Sequence, residues 1–252
     1  MPKAKAATLK ALALDGTLAD AHWVLGTVKG VYEWDWAGAR DEFSHALAIH
    51  PDDADARVAY VLAYLLPRGE LGEAQSEIER ARRLDPLSPR VYLVSGRIQY
   101  FGRYYDEAIA RYRKALELDS RFYPAHLALA SASAAKLMYA DALAEVEQIK
   151  TMVAGDNELL LLGHTYAEMG KHAQAQAILE RLEALAKQRY ASAVRISVLC
   201  ADLGEKGEAL AWLEKACQQR SVGLACLKLN PHFDGVRSDP RFIAVLKKVG
   251  LP

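Results

Sequence analysis

Lysine plus arginine equal aspartate plus glutamate at 32 each in 252 residues, so the chain lacks the electrostatic footprint of a sequence-independent nucleic-acid binder. Apolar residues make up 52% of it, ample for a core, yet no apolar run approaches the ~18 residues of a membrane span. The cysteines Cys200, Cys217 and Cys226 are odd in number and confined to the C-terminal quarter. That usage fits a reducing, cytoplasmic setting with thiols as small apolar residues, a Cys217–Cys226 bridge being the lesser alternative.

The first stretch, Met1–Ala13, carries lysines but no following hydrophobic region or cleavage site, so it does not read as a signal peptide. Ala4, Ala11, Leu12 and Leu14, followed by Asp15-Gly16, predict one helix over residues 1–16, the second half of a unit whose first half is missing. Such an opening suggests a piece of a longer protein; a lone capping helix would look alike.

From there a rhythm sets in. Ala39, Ala74, Ala108, Ala142, Ala175 and Ala209 recur at intervals of 35, 34, 34, 33 and 34 residues. Four residues after each stands a bulky apolar side chain: Phe43, Ile78, Tyr112, Val146, Leu179 and Leu213. Three further on come Ala46, Ala81, Ala115, Ile149, Leu182 and Ala216. Spacing i, i+4, i+7 is one face of a helix, and a helix returning every ~34 residues predicts stacked helical repeats forming one continuous domain. Ahead of each such helix B, a helix A offers a small residue for close packing: Gly26, Gly96, Ala130, Gly163 and Ser197, with Leu62 the large exception. Pro67-Arg68-Gly69, Phe101-Gly102-Arg103, Met169-Gly170-Lys171 and Leu203-Gly204-Glu205 predict turns in which glycine supplies left-handed backbone. Pro51 and Pro86 close two of the B helices. The first unit is irregular, with Tyr32-Glu33-Trp34-Asp35-Trp36 where a simple turn belongs and one residue extra; helix B of the fifth unit runs long, to about Gln188.

Small, alanine, aromatic and proline positions at these offsets resemble the tetratricopeptide repeat family, most clearly over Tyr104–Asp119 and Leu162–Gly170. The resemblance implies an all-α, right-handed superhelical solenoid of antiparallel helix pairs. Residues 1–252 then form a single domain: half-repeat helix 1–16, six units over 18–220, and a C-terminal cap over 221–252. In the cap, Ser238 or Asp239 starts a helix with Pro240 in its first turn; Phe242, Val245, Leu246 and Val249 share one face, and Gly250 ends it. This reads as a lid on the last repeat. The passage also resembles the C-terminal end of tetratricopeptide segments in bacterial multi-domain regulatory proteins, whose output domains are not in this sequence.

No catalytic constellation, cofactor motif or metal set stands out. There is no phosphate-binding glycine loop and no His-Glu-x-x-His helix, and the seven histidines are scattered. Glu42 and His45 read as a surface pair, Asp52-Asp53-Ala54-Asp55 as an acidic helix start, and Cys200 as a core residue.

In the resembling family a concave groove is lined by the A helices. The matching offsets here give Asp20, Trp23, Thr27 and Val31; Ala56, Ala59, Ala63 and Leu66; Arg90, Leu93, Arg97, Tyr100 and Phe101; Leu127, Ser131 and Ala134; Asn157, Leu160, His164 and Ala167; and Val194, Val198 and Ala201. The strongest candidates are Trp23, Thr27, Arg90, Leu93, Arg97, Tyr100, Phe101, Leu127, Leu160 and His164. The lysine, asparagine and arginine set with which some members clamp a peptide terminus is not matched in the first two repeats. Arg90 and Arg97, two turns apart on one face, are expected to meet one acidic group. The expected function is a non-catalytic interaction module, the regulatory part of a larger bacterial signalling or transcription-control protein. Its expected partner is a protein, peptide or amphipathic helix with apolar anchors and acidic residues, not nucleic acid or membrane. The alternatives are a self-assembling homo-oligomeric scaffold, and a small-molecule sensor needing a closed cavity near Arg90, Arg97 and His164.

Overall fold

A computed structural model describes residues 1–152, 157–188 and 192–251. It contains six antiparallel helix pairs in the predicted order. Repeat 1 joins Ala19–Val28 to Trp36–Ile49; repeat 2 joins Ala54–Tyr60, prolonged through Val61–Leu65 and Leu66–Arg68, to Leu71–Leu84. Repeat 3 pairs Pro89–Phe101 with Tyr105–Leu118, and repeat 4 pairs Tyr123–Ala135 with Tyr139–Met152. Repeat 5 pairs Asn157–Glu168 with His172–Gln188, and repeat 6 pairs Ala193–Asp202 with Lys206–Gln218.

Packing follows the alanine rhythm. All six B-helix alanines are fully buried, and so, within a few per cent, are the residues four and seven positions on. The A helices come close enough that a methyl group on Gly26 would press on the Phe43 ring, and one on Gly96 would run into the ring of Tyr112. Gly69, Gly170 and Gly204 take the expected left-handed backbone. In repeat 3, however, that role falls to Arg103 (φ 69), while Gly102 stays right-handed (φ -76). Helices end at Ile49 and Leu84, directly before the segments carrying Pro51 and Pro86.

The irregularity of the first units is a pair of π turns, Lys29–Glu33 and Val61–Leu65, late in the A helices of repeats 1 and 2. A π turn takes up one extra residue. The second lies within the 35-residue interval between Ala39 and Ala74. Trp34 then supplies the left-handed residue (φ 62) that ends the first A helix. Leu62 does not sit at a tight helix crossing as the sequence register implied; it is half-buried and faces a cavity.

The N-terminal helix, Pro2–Leu14, lies against helix A of repeat 1, held in part by a Lys5–Glu33 ion pair of 2.6 Å. Its buried residue is Thr8; Ala4 and Leu14, expected in its apolar face, are exposed.

The C-terminal segment departs most from expectation. Its local structure is as predicted. Asp239 accepts a hydrogen bond from the Arg241 amide at 2.8 Å, Pro240–Val249 is helical, and Gly250 ends it at φ 73. Its destination is not confined to the last repeat. Arg241 holds Glu214 of repeat 6 at 2.8 Å, but the segment continues across the concave face to the other end of the array. The Trp36 indole N–H donates to the Val249 carbonyl at 2.8 Å, and Arg68 donates to the Gly250 carbonyl at 3.2 Å. Arg103 holds Asp234 at 2.9 Å, and Arg220 reaches the Tyr32 carbonyl with its guanidinium over the Trp34 ring. One apolar core therefore joins Phe43, Leu65 and Leu66 of repeats 1 and 2, Leu213 of repeat 6, and Phe233, Phe242 and Leu251 of the segment. Phe233 and Phe242 are wholly buried, each worth about 1.5–3 kcal/mol relative to exposure. The segment closes the superhelix on itself.

Candidate binding cavity

Closure divides the concave face. In repeat 2, Ala56, Ala59 and Ala63 are buried and unavailable to an incoming molecule, whereas Leu66, though buried, borders the cavity that remains. Between repeats 2, 3, 4 and 6 and the segment a cavity of about 390 Å³ remains. Its apolar wall includes Leu62, Phe101, Leu127 and Val198; its polar groups include Arg97, Arg195, Asn230 and His232. Two smaller hollows, of about 180 and 310 Å³, are lined in part by His164 and His232 and reach Leu160 on one side and Glu168 on the other.

The candidates from sequence separate into two groups. Arg97, Tyr100, Phe101, Leu127, Leu160 and His164 surround these hollows. Four do not. Trp23 is half-buried with its indole N–H donating to Asp20 at 3.3 Å, and the Thr27 hydroxyl donates to the Trp23 carbonyl at 3.0 Å. Leu93 is buried in the core of repeats 3 and 4. Arg90 pairs at the surface with Asp55 at 2.8 Å and is not among the cavity residues, so the expected pairing of Arg90 with Arg97 around one acid is not made. The second arginine of the cavity is Arg195. Among the described residues neither Arg97 nor Arg195 has an ion-pair or hydrogen-bond partner. The side chain of Asn157 lies outside the described residues.

Sequence reasoning missed Arg195, Asn230, Asp202 and His232. Arg195 directly follows Val194, a position already assigned to the concave face, and that register was the available signal. Asn230 and His232 belong to the C-terminal segment, whose return to the concave side leaves no local trace. They bring unexpected chemistry. Asp202, at the end of helix A in repeat 6, lies between two imidazoles: His164 Nδ1 at 2.9 Å and His232 Nδ1 at 2.7 Å. Burial acts to raise the Asp202 carboxyl, but the two histidines override it and hold it well below the usual carboxylate range. Burial acts to lower His164, and the carboxylate of Asp202 reverses that to a value above the ordinary one. The other ring nitrogen of His164 is buried without a partner.

The three cysteines are free. Cys200 is fully buried, and burial pushes its thiol up to about 12, in keeping with a packing role. Among the described residues no helix is long and apolar enough to cross a membrane.

A family model for the tetratricopeptide repeat matches residues 89–122 and 159–189, which are repeat 3 and most of repeat 5. Among solved structures, a tetratricopeptide repeat protein from Parabacteroides merdae ATCC 43184 aligns with a TM-score of 0.67 at 16% identity, over 98% of this chain and 91% of its own. PilW, a widely conserved type IV pilus biogenesis factor, aligns with a TM-score of 0.60 at 22% identity, over 71% and 83%. A chain of the APC/C hetero-tetramer Cut9–Hcn1 aligns with a TM-score of 0.66 at 17% identity, over 97% and 48%. At such identities the likeness is one of fold. No curated protein matches the sequence.

Proposed function

Because the chain belongs to the tetratricopeptide repeat family, whose fold suggests a protein–protein interaction module, we propose that it is a non-catalytic binding module with its site in the cavity beside the closing segment. The observation that carries this reading is that Arg97 and Arg195 face one cavity with apolar walls and have no partner among the described residues. Two guanidinium groups held beside apolar surface select an acid next to an apolar anchor. The size narrows the ligand further. A hollow of about 390 Å³ suits an acidic chain end or short loop better than the full length of an amphipathic helix 10–12 Å across.

The volume also lies within the range of about 300–1,000 Å³ usual for small-molecule sites. That favours a second reading, a sensor for a small organic anion with an apolar body. Placement within a larger bacterial signalling or transcription-control protein belongs to this proposal and rests on the resemblance of the C-terminal passage.

A displayed library of short peptides ending in acidic residues beside Leu or Phe tests the first reading, with amidated counterparts as controls. Wild type is expected to enrich acid-bearing peptides, and Arg97→Glu to lose them while keeping its helical spectrum. Equal enrichment by both proteins would remove the cavity from the binding site. A thermal-shift panel of medium-chain carboxylates tests the second reading; stabilisation by these without peptide enrichment would favour the sensor.

A further inference from the structure

Three donor side chains from three separate elements meet beside the cavity: His164 from helix A of repeat 5, Asp202 from helix A of repeat 6, and His232 from the short turn Pro231–Val236 of the closing segment. One ligand atom of each lies within 4.8 Å of the others. The side chains are 6%, 3% and 14% exposed, so the carboxylate has almost no water of its own. Its charge is answered by these two imidazoles; among the described residues no lysine or arginine pairs with it. A buried carboxylate without a permanent cation beside it is costly.

Two imidazole nitrogens and one carboxylate are a donor set suited to divalent zinc, cobalt, nickel or iron. Adjacent ligands about 2.1 Å from an octahedral ion stand about 3 Å apart. The nitrogen-to-oxygen separations of 2.9 and 2.7 Å run to different oxygens of one carboxylate, and with one ligand atom per residue the three atoms stay within 4.8 Å of one another, compact enough to surround one ion. The 310 Å³ hollow reaches all three residues and passes Tyr105 and Glu168, which provides an entry path and room for water on the remaining coordination positions.

We infer that His164, Asp202 and His232 form a site for one divalent transition-metal ion, which ties the closing segment to repeats 5 and 6. Each imidazole coordinates through Nδ1 as the neutral ring, its proton on Nε2, and the Nδ1–H bonds to Asp202 give way to bonds to the ion. The proposal does not depend on what occupies the larger cavity.

Cobalt(II) alone is the probe. After incubation of the full chain and gel filtration, wild type is expected to retain one cobalt ion per molecule and to show visible absorption from histidine-bound cobalt. At about 100 times its dissociation constant the ion should raise the melting temperature by roughly 5–10 °C. His232→Gln, altered at the rim where the histidine is partly exposed, should keep its helical spectrum and lose both cobalt and the thermal shift. His45→Gln, at the distant surface, should keep both. Failure of wild type to retain cobalt, or retention by His232→Gln equal to wild type, would overturn the site; the wild-type measurement decides even where a variant folds poorly.

Discussion

The inner faces of repeats 1 and 2 and of repeats 3 to 6 are drawn from the same helical register but meet different fates. In the first region Ala56, Ala59 and Ala63 are buried, and Ala59 and Ala63 belong to the same apolar core as Phe233, Phe242 and Leu251. In the second, Arg97, Leu127, Val198 and Arg195 face space. The difference comes from composition. Small apolar residues let neighbouring helices pack closely and dry, whereas arginines without partners hold water or an anion and resist being covered by apolar chain. Concavity alone does not make a binding groove.

The largest effect should follow from Phe242→Ala on the sealed side, which leaves a cavity in the core and is expected to cost about 3–5 kcal/mol in urea unfolding. Leu127→Ala on the open side, where the wall already faces a hollow, should cost about 1 kcal/mol. Equal losses would erase the contrast between the two regions. Trp36→Phe keeps most of the apolar contact but removes the indole bond to the Val249 carbonyl, leaving that acceptor buried. A loss of about 1–3 kcal/mol is expected by the same measurement.

A smaller, pH-dependent effect belongs to the first repeat. Glu42 accepts from both His22 and Lys29 at 2.7 Å. Burial acts to lower His22, but the Glu42 carboxylate and the Gly16 carbonyl more than offset it and raise the group above its ordinary value. A raised folded-state value means that this stabilisation is complete below about pH 6.5 and is lost as the pH rises through the folded value. Between about pH 6 and 8 the melting temperature of wild type should therefore fall more than that of His22→Gln. Parallel curves for the two proteins would remove His22 from the account. The smallest change is expected for Arg97→Ala, within about 0.5 kcal/mol in unfolding, because no partner among the described residues is lost.

The sequence made the repeats legible because each B helix carries its own alanine, bulky residue and second small residue at fixed offsets. It also flagged the first unit as irregular through the extra residue at Tyr32–Trp36, and the second through the large Leu62, although a π turn could not be distinguished from a longer turn. For the cavity, the offsets carried over from the resembling family placed Arg97, Tyr100, Phe101, Leu127, Leu160 and His164 on the inner side. It could not separate them from Trp23, Thr27 and Leu93, because local pairing and core packing depend on neighbours in space. The closing segment was the blind spot. Its helix, cap and apolar face were readable, but Trp36 meets Val249 across 213 residues, and no periodicity reports a contact of that range.

Hydrogen exchange on the full chain tests closure most directly. The amides of the helix spanning 240–249 and of helix A in repeat 2 should exchange together, both slow, at a rate set by opening of their shared core. Fast exchange of 240–249, at the rate of a free chain and with repeat 2 still protected, would contradict the closed array and reopen the entire concave face as a groove.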